Sequence, residues 1–328
     1  FRADAARGGY TAETLCRNLS LSWKFQPKHA PQPAWPRSNR MPFDRASHVA
    51  VASGAVYFGS SVTGQVHAVD AAAGKLLWTF DTAGPIRFAP AVWKDRVLVT
   101  SDDGWLYALS TANGKLLWKK RGGPDDARRL GNQRMISKWP ARGGPVVVGD
   151  LVYFAAGLWS TDGIYLYALR AETGEVLWAN EDSGDIYMPQ PHGGASATSG
   201  VSAQGYLVVS GGRLHVPTGR AVPAAFDAAT GKFQYFHLQQ YGHKGGAPTM
   251  AVGDAFFNSG LTFDAATGRA GAAVGSGPLA ATPDGLVRSS AKQVASYQWA
   301  EISKPDRKGV EVKSRGLRAN GLAKGVDG

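Results

Sequence analysis

A repeated stretch with glycine and tryptophan at a fixed spacing constrains this chain of 328 residues more than any other feature. It reads AVDAAAGKLLWTF at 68–80, ALSTANGKLLWKK at 108–120 and ALRAETGEVLWAN at 168–180. The glycines of five recognisable copies are separated by 40, 60, 57 and 37 residues, which is the repeat length of a four-stranded β unit, with insertions in the longer intervals. These glycines are Gly74, Gly114, Gly174, Gly231 and Gly268.

Each copy belongs to a unit of four short strands. In the second unit, the apolar segments RVLVTS (96–101) and WLYALS (105–110) are joined by an Asp-Asp-Gly turn, and KLLWKK (115–120) follows an Asn-Gly turn. Such turns between short β-branched and aromatic segments indicate antiparallel hairpins, and no long segment has a helical period. The sequence therefore predicts an all-β propeller of four-stranded antiparallel blades, with about six units over 48–300.

The glycine and the aromatic residue of the repeat have separate predicted roles. The glycine occupies the turn position that requires a positive φ. Four residues later, in the outermost strand, come Trp78, Trp118 and Trp178, with Tyr235 in the fourth unit. Since a Trp side chain can bury about 150–250 Å², we expect these residues to dock each blade on its neighbour.

Charge and composition exclude several other classes. The net charge is +11, from 36 basic and 25 acidic residues, but the basic residues are scattered, which disfavours a nucleic-acid partner. The single cysteine, Cys16, cannot form an internal disulfide. No apolar run approaches the ~18 residues of a membrane span, and the opening residues do not form a signal peptide.

The pattern ALxxxxGKLLW resembles the tryptophan-docking repeat of the PQQ-like β-propellers, the superfamily of the quinoprotein alcohol dehydrogenases and of BamB. The chain lacks the Trp-Asp dipeptide of WD40 propellers. The resemblance covers most of 48–300 and is strongest in the first three units. It implies seven or eight blades when complete, so we expect this chain to be a fragment, and it implies an exported or periplasmic location.

The resemblance also implies a domain organisation. Residues 1–47 are expected to hold a closing strand at 19–25 (LSLSWKF), which completes the last blade, and then a long loop. Residues 48–300 hold the propeller blades. Residues 301–328 are expected to begin a further blade or to form a truncated C-terminal segment.

For the dehydrogenase branch, the resemblance implies PQQ with Ca²⁺ at the propeller axis. Such sites use carboxylate and amide ligands, a catalytic Asp and often a disulfide of adjacent cysteines. Cys16 alone cannot make that disulfide, and no Asp, Glu and Asn set can be matched to those ligands. The sequence therefore predicts no catalytic residue, no metal site and no cofactor, with bound PQQ and Ca²⁺ as the alternative.

The long connections between blades carry the candidate binding residues. Arg87 and Arg142 each precede, by three residues, the Pro that opens an inner strand, so they are expected at equivalent places around one channel mouth. Convergent cations with exposed aromatic residues suit a carboxylate, phosphate or sugar ligand. Alternatively, the arginines pair with Asp44, Asp125, Asp126 and Asp185 and brace the loops. The predicted set is Arg45, Arg87, Arg134, Arg142, His192, His243 and Lys244, with Trp35, Trp139 and Tyr187 beside them.

Three functions follow from these observations. The first is a non-catalytic binding or scaffolding module that recognises a protein, a glycan or an anionic small ligand through loops at the channel mouth. The second is a PQQ- and Ca²⁺-dependent quinoprotein dehydrogenase. The third is the recognition domain of a longer enzyme whose catalytic domain is missing.

Overall fold

The computed structural model describes residues 2, 4–14, 18–34, 48–131, 133–190, 193–219, 221–238, 246–275, 277–282, 284–290, 293–305 and 311–324. These ranges contain almost only strands, turns and loops, and the helical element among them is a 3-10 turn at Ser160–Asp162. Within the same ranges, no helical segment has the length and hydropathy that crossing a bilayer requires.

The first three sheets follow the predicted units closely. In each, consecutive strands pair antiparallel in chain order, and the third adds a short parallel strand beside its first. Their strands are β1 (Ala50–Ala52), β2 (Ala55–Gly59), β3 (Gln65–Asp70) and β4 (Leu76–Asp81); β5 (Ala91–Trp93), β6 (Arg96–Thr100), β7 (Trp105–Ser110) and β8 (Leu116–Arg121); and β11 (Gly143–Val148), β12 (Leu151–Ala156), β13 (Tyr165–Arg170), β14 (Val176–Asn180) and β17 (Gly205–Tyr206).

Three further sheets have the same order in the described part of the chain, which confirms the predicted all-β propeller of four-stranded antiparallel blades. Their strands are β18 (Val208–Ser210), β19 (Arg213–Val216), β20 (Val222–Asp227) and β21 (Phe233–His237); β22 (Thr249–Val252), β23 (Ala255–Asn258), β24 (Leu261–Asp264) and β25 (Ala270–Ala273); and β26 (Leu279–Thr282), β27 (Gly285–Ser289), β28 (Gln293–Pro305) and β29 (Glu311–Lys324).

Two connections between sheets form hairpins that the sequence reading treated as loops. The first hairpin, between the second and third sheets, pairs β9 (Arg128–Gly131) with β10 (Arg134–Ser137). The second hairpin, between the third and fourth sheets, pairs β15 (Ile186–Pro189) with β16 (Ser196–Ser199).

The two ends of the expected domain organisation need correction. β28 continues through residue 300, and β29 pairs with it along its whole length, so 311–324 supply the fourth strand of the sixth sheet rather than the start of a further blade. Residues 19–25 carry no strand and belong to no sheet. The reason is that β29 already occupies the outer edge of the sixth sheet, with β28 fully paired on that side.

Hydrophobic cores lie between successive sheets. Between the first two sheets, for example, Tyr57 and Trp78 pack with Val99 and Leu109. Corresponding clusters join the second sheet to the third, the third to the fourth, the fourth to the fifth and the fifth to the sixth. Each blade is too thin to bury its own faces, so its stability depends on its neighbours.

Each repeat tryptophan docks on the glycine of the following sheet, not on that of its own. The Nε1 of Trp78 donates to the carbonyl of Thr111 at 2.9 Å, and its ring covers Gly114. A Cβ at Gly114 would lie 2.6 Å from that ring. Glycine is therefore required here for two reasons, because the turn also holds it at φ 70°.

The same dock recurs along the chain. Trp118 covers Gly174, and Trp178 covers Gly231. In the fourth unit Tyr235 replaces the tryptophan, and its hydroxyl donates to the carbonyl of Ala265 at 2.9 Å. Trp118 donates to the carbonyl of Ala171, Trp178 donates to that of Ala228, and Tyr235 contacts Gly268.

Trp23, within the segment 19–25, makes the same dock on the first sheet. Its Nε1 donates to the carbonyl of Ala71 at 2.9 Å, and its ring covers Gly74. The segment thus supplies the aromatic side chain of an outermost strand without being paired as a strand.

A fully buried histidine lies in the core between the fourth and fifth sheets. The His215 ring packs on Phe256 with 4.8 Å between ring centroids. Neither ring nitrogen has a hydrogen-bond partner among the described residues. Burial, and to a lesser degree the charge of Arg213, lowers the pKa of His215 to about 3, so the ring is neutral at physiological pH.

This histidine should make the fold sensitive to acid. Because the folded-state pKa lies below that of the unfolded chain, the unfolded chain takes up the proton first as the pH falls below ~6.5. We expect the wild type to lose about 2 kcal/mol relative to His215→Phe between pH 7 and pH 5. Urea unfolding of both proteins at the two pH values measures this difference. An unchanged difference between the proteins at the two pH values would contradict it.

Candidate functional site

The connections between sheets and the turns between second and third strands meet on one face of the propeller, which we call the loop face. The turn 101–104 of the second sheet illustrates this. Asp102 N–H donates to the carbonyl of Pro85 in the preceding connection, and its carbonyl accepts from Ser137 N–H in the following one, both at 2.8 Å. The loop face is therefore built from consecutive connections that hydrogen-bond to the sheet between them.

Two of the predicted cations converge at this turn on one carboxylate. Arg87 Nε donates to Asp102 Oδ2 at 2.7 Å, and Arg142 donates to both carboxylate oxygens at 2.9 Å. Arg87 also donates to the carbonyl of Gln32 at 2.9 Å. The carboxylate is fully buried, and both guanidinium groups are almost fully buried.

The Asp102 carboxylate neutralises part of the positive charge of Arg87 and Arg142 inside the protein. Burial by itself would raise the pKa of Asp102, but the charges and hydrogen bonds of Arg142 and Arg87 outweigh it and hold the pKa below its ordinary value. Asp102 stays ionised and ties together the connections on either side of the second sheet. Bracing of this kind is the alternative that the sequence offers, although Asp102 belongs to the Asp-Asp-Gly turn and is not among the expected partners Asp44, Asp125, Asp126 and Asp185.

The remaining predicted residues do not join this cluster in the described part of the chain. Arg134 lies in β10 and donates to the carbonyl of Val62, on the first sheet. Trp139 is buried and donates to the carbonyl of Asp162, so it does not line an open mouth. Arg121, which was not predicted, pairs with Asp126 at 2.7 Å. Outside the described residues lie Trp35, Asp44, Arg45, His192, His243 and Lys244.

A polar and aromatic cluster, which the sequence reading missed, lies near the inner strands of the second and third sheets. The Tyr206 hydroxyl accepts from Ala89 N–H at 2.8 Å and contacts His48 Nδ1 at 2.9 Å. Burial, followed by the charges of Arg2 and Arg7 among others, lowers the pKa of His48 to about 4. His48 is therefore neutral, and its Nδ1 shares a hydrogen bond with the Tyr206 hydroxyl.

The first hairpin lies on the loop face, with one side bound to the protein and the other exposed. Arg129 pairs with Asp162 at 2.7 Å, and Ile136, directly across from Arg129, is buried. On the other side, the cross-strand neighbours Leu130 and Met135 are 73% and 53% exposed. The hairpin is held in place by its inner side while its outer side presents apolar surface to solvent.

The second hairpin has the same division. Met188 packs against the core between the third and fourth sheets, while its neighbour Tyr187 is 74% exposed. Between the two hairpins is the 3-10 turn, which contacts β16 and is preceded by the exposed Trp159. We call the four exposed side chains the apolar loop surface; they are Leu130, Met135, Trp159 and Tyr187.

The described residues do not fit the PQQ and Ca²⁺ site that the dehydrogenase resemblance implies. No group of three or more His, Cys, Asp or Glu side chains in the described ranges is arranged to hold a metal ion. Both oxygens of the buried Asp102 carboxylate are bonded to arginines. Residues 4–8 hydrogen-bond to the inner strands of the fourth, fifth and sixth sheets.

Comparison with known proteins identifies the family of this arrangement. The family model described as outer membrane protein assembly factor BamB matches residues 20–232 and 124–296. The dehydrogenase subunit of the quinone-dependent alcohol dehydrogenase of Gluconacetobacter polyoxogenes is 33% identical over 136 residues, which are 38% of this chain and 18% of that subunit.

Two solved structures share the fold at 16% identity. The quinohemoprotein alcohol dehydrogenase of Comamonas testosteroni has a TM-score of 0.53 over 79% of this chain and 53% of that chain. Quinohemoprotein alcohol dehydrogenase ADHIIG of Pseudomonas putida HK5 has a TM-score of 0.56 over 82% and 54%. The chain thus matches under a fifth of the first relative and about half of each solved enzyme. Successive sheets are docked by tryptophan on glycine, and the family model matches most of the chain. The chain therefore belongs to the PQQ-like β-propeller family, whose model is that of outer membrane protein assembly factor BamB.

Proposed function

We propose that this propeller is a non-catalytic binding module that recognises a protein partner through the apolar loop surface. The observation that carries the proposal is the pair of hairpins with bound inner sides and exposed apolar outer sides. Apolar side chains exposed on held loops are typical of protein interfaces, in which aromatic and Met side chains are enriched.

The charge arrangement favours a protein partner over an anionic small ligand. A ligand with a carboxylate or phosphate would need cations that are free to bind it. Arg87 and Arg142 instead bond to Asp102, and Arg134 bonds to a backbone carbonyl. The apolar side chains Leu130, Met135, Trp159 and Tyr187, by contrast, are exposed to solvent. The family description, an assembly factor, accords with a role in binding proteins, and we propose an exported location on the same ground.

Photo-crosslinking from both hairpins tests the proposal. p-Benzoylphenylalanine is placed at Met135 in one variant, at Tyr187 in a second and at Leu117 in a third. Leu117 is the matched control, since it is exposed but lies in the outermost strand β8. In cells of the source organism, we expect adducts of one and the same protein from Met135 and Tyr187 and none from Leu117. Different adducts from the two hairpins, or equal labelling at Leu117, would refute a shared binding surface.

The quinoprotein dehydrogenase is the second candidate, and the 33% identity to an alcohol dehydrogenase subunit favours it. It is tested by adding PQQ and Ca²⁺ to the purified chain. We expect no rise in melting temperature and no dye-coupled oxidation of ethanol, because the described residues do not provide the ligand set. A saturable stabilisation by PQQ with Ca²⁺, together with alcohol oxidation, would establish the dehydrogenase instead.

A further inference from the structure

The centre of the propeller contains a tight turn made by residues 4–8, which we call the channel turn. Arg7 N–H donates to the carbonyl of Asp4 at 3.1 Å and closes the turn, with Ala5 and Ala6 at its corner. Gly8 N–H donates to Asp4 Oδ1 at 2.9 Å. The side chain of Asp4 therefore stabilises the turn from within, as Asp commonly does in turns.

Three carbonyls of the channel turn each accept a hydrogen bond from a different blade. Val209 N–H of the fourth sheet donates to Ala5, and Ala251 N–H of the fifth donates to Ala6, both at 2.9 Å. Ala281 N–H of the sixth sheet donates to Gly8 at 2.8 Å. All three donors belong to the innermost strand of their sheet, whose inner edge has no strand partner in the described chain. The turn thus satisfies backbone donors that would otherwise be costly to bury.

Arg7 connects the channel turn to the third sheet. Its Nη2 donates to the carbonyl of Pro145 at 2.8 Å, and its Nε donates to that of Leu207 at 3.2 Å. The guanidinium lies over the Tyr206 ring, 5.2 Å from its centroid. The side chain is buried, and Arg7 has a positive φ of 60°, an uncommon conformation for a residue other than glycine. The surroundings of Arg7 hold it in a specific and strained pose.

The chain that leads away from the channel turn is exposed. Residues 9–14, from Gly9 to Thr14, are all exposed to solvent. The channel turn is therefore an inward-facing element on an exposed connector. Such an arrangement is that of a ligand tethered to its receptor.

We propose that the channel is a peptide-binding site, formed by inner strands of the third to sixth sheets, for a turn of the type Asp-Ala-Ala-Arg-Gly, and that residues 4–8 are its intramolecular ligand. The inner-strand donors recognise three carbonyls of the turn. The carbonyls of Pro145 and Leu207, with the Tyr206 ring, recognise the arginine. Small residues are required at the corner, because Ala5 and Ala6 pack against the cores on either side of the fourth sheet.

Cutting the connector tests this site in the full chain. A protease recognition sequence is inserted between Ala12 and Glu13, and the protein is cleaved after it has folded. A fluorescent peptide with the sequence of residues 2–10 is then added to the cleaved and to the uncleaved protein, and its anisotropy is followed. We expect saturable exchange into the cleaved protein and none into the uncleaved one, because the tether gives the intact turn a high effective concentration.

Peptide variants distinguish sequence-specific binding from nonspecific binding. An Arg7→Ala peptide should bind at least about 30-fold more weakly, since it loses two hydrogen bonds from a charged group and the contact with Tyr206. An Arg7→Lys peptide should bind with intermediate affinity, and a scrambled peptide should not bind. Equal binding of the Arg7→Ala peptide, absence of exchange, or unfolding of the cleaved protein that added peptide does not reverse would each overturn the proposal.

Discussion

Asp102→Ala should lower the free energy of unfolding by about 3–5 kcal/mol. The substitution removes the Asp102 carboxylate, which bonds to both Arg87 and Arg142, and takes this partner from two almost fully buried guanidinium groups. The cost of an uncompensated buried charge exceeds the net contribution of an intact ion pair, which is why removal of one partner is so destabilising. Urea unfolding followed by tryptophan fluorescence measures the loss.

Two further variants serve as controls for the Asp102→Ala prediction. Asp126→Ala, which removes the largely exposed partner of Arg121, should leave the urea midpoint essentially unchanged. The triple variant Asp102→Leu/Arg87→Met/Arg142→Met should recover much of the stability lost in Asp102→Ala, because it removes the two buried guanidinium charges together with the carboxylate. If Asp102→Ala unfolds at the urea concentration of the wild type, the cluster does not brace the loop face.

Trp78→Ala should lower the free energy of unfolding by about 3–5 kcal/mol as well, through loss of the dock between the first two sheets. The ring is buried among residues of both sheets and covers Gly114, so its removal leaves a cavity at their interface. Trp78→Phe keeps part of the packing but loses the hydrogen bond to Thr111, and it should be destabilised by an intermediate amount. Urea unfolding measures both losses.

The matched control for this dock is Leu77→Ala in the same strand. Leu77 is exposed, so its truncation should change the stability by no more than ~0.5 kcal/mol. Gly114→Ala tests the opposite side of the contact, because its Cβ would meet the Trp78 ring at 2.6 Å and its φ is 70°. Should Gly114→Ala be as stable as the wild type, the close approach of ring and glycine would not be a requirement of the fold.

The blades were predictable because the residues that specify each blade lie close together in the sequence. Turn glycines, alternating apolar residues and the aromatic residue four positions after each glycine all lie within about 35 residues of one another. β7 accordingly begins and ends where the sequence pattern places it, at 105–110. The all-β propeller and its family were predicted from these features and are confirmed by the sheets and by the family match.

The ends of the chain were harder to predict, because strand pairing there is decided by neighbours distant in sequence. The recognisable repeat units end at about residue 300, yet β28 and β29 pair with each other, and this pairing continues β28 to Pro305. Trp23 illustrates the reverse case. The sequence around it resembles a strand, but residues 19–25 form no strand, and Trp23 keeps only its dock on the first sheet.

The candidate site depends on contacts between residues that are distant in the sequence. Arg87 and Arg142 have the same spacing from their inner strands and both bond to Asp102, but Asp102, 15 and 40 residues away, could not be selected from the many acidic residues in the chain. Nothing local marks Arg7 as the residue that reaches Pro145 and Leu207, because that contact joins positions 138 and 200 residues apart. The sequence by itself determined the repeating unit, its turns and its tryptophan docks, since these depend on short-range spacing. The tertiary structure alone decided which charges neutralise one another and what fills the channel, because blades far apart in sequence become neighbours only when the propeller forms.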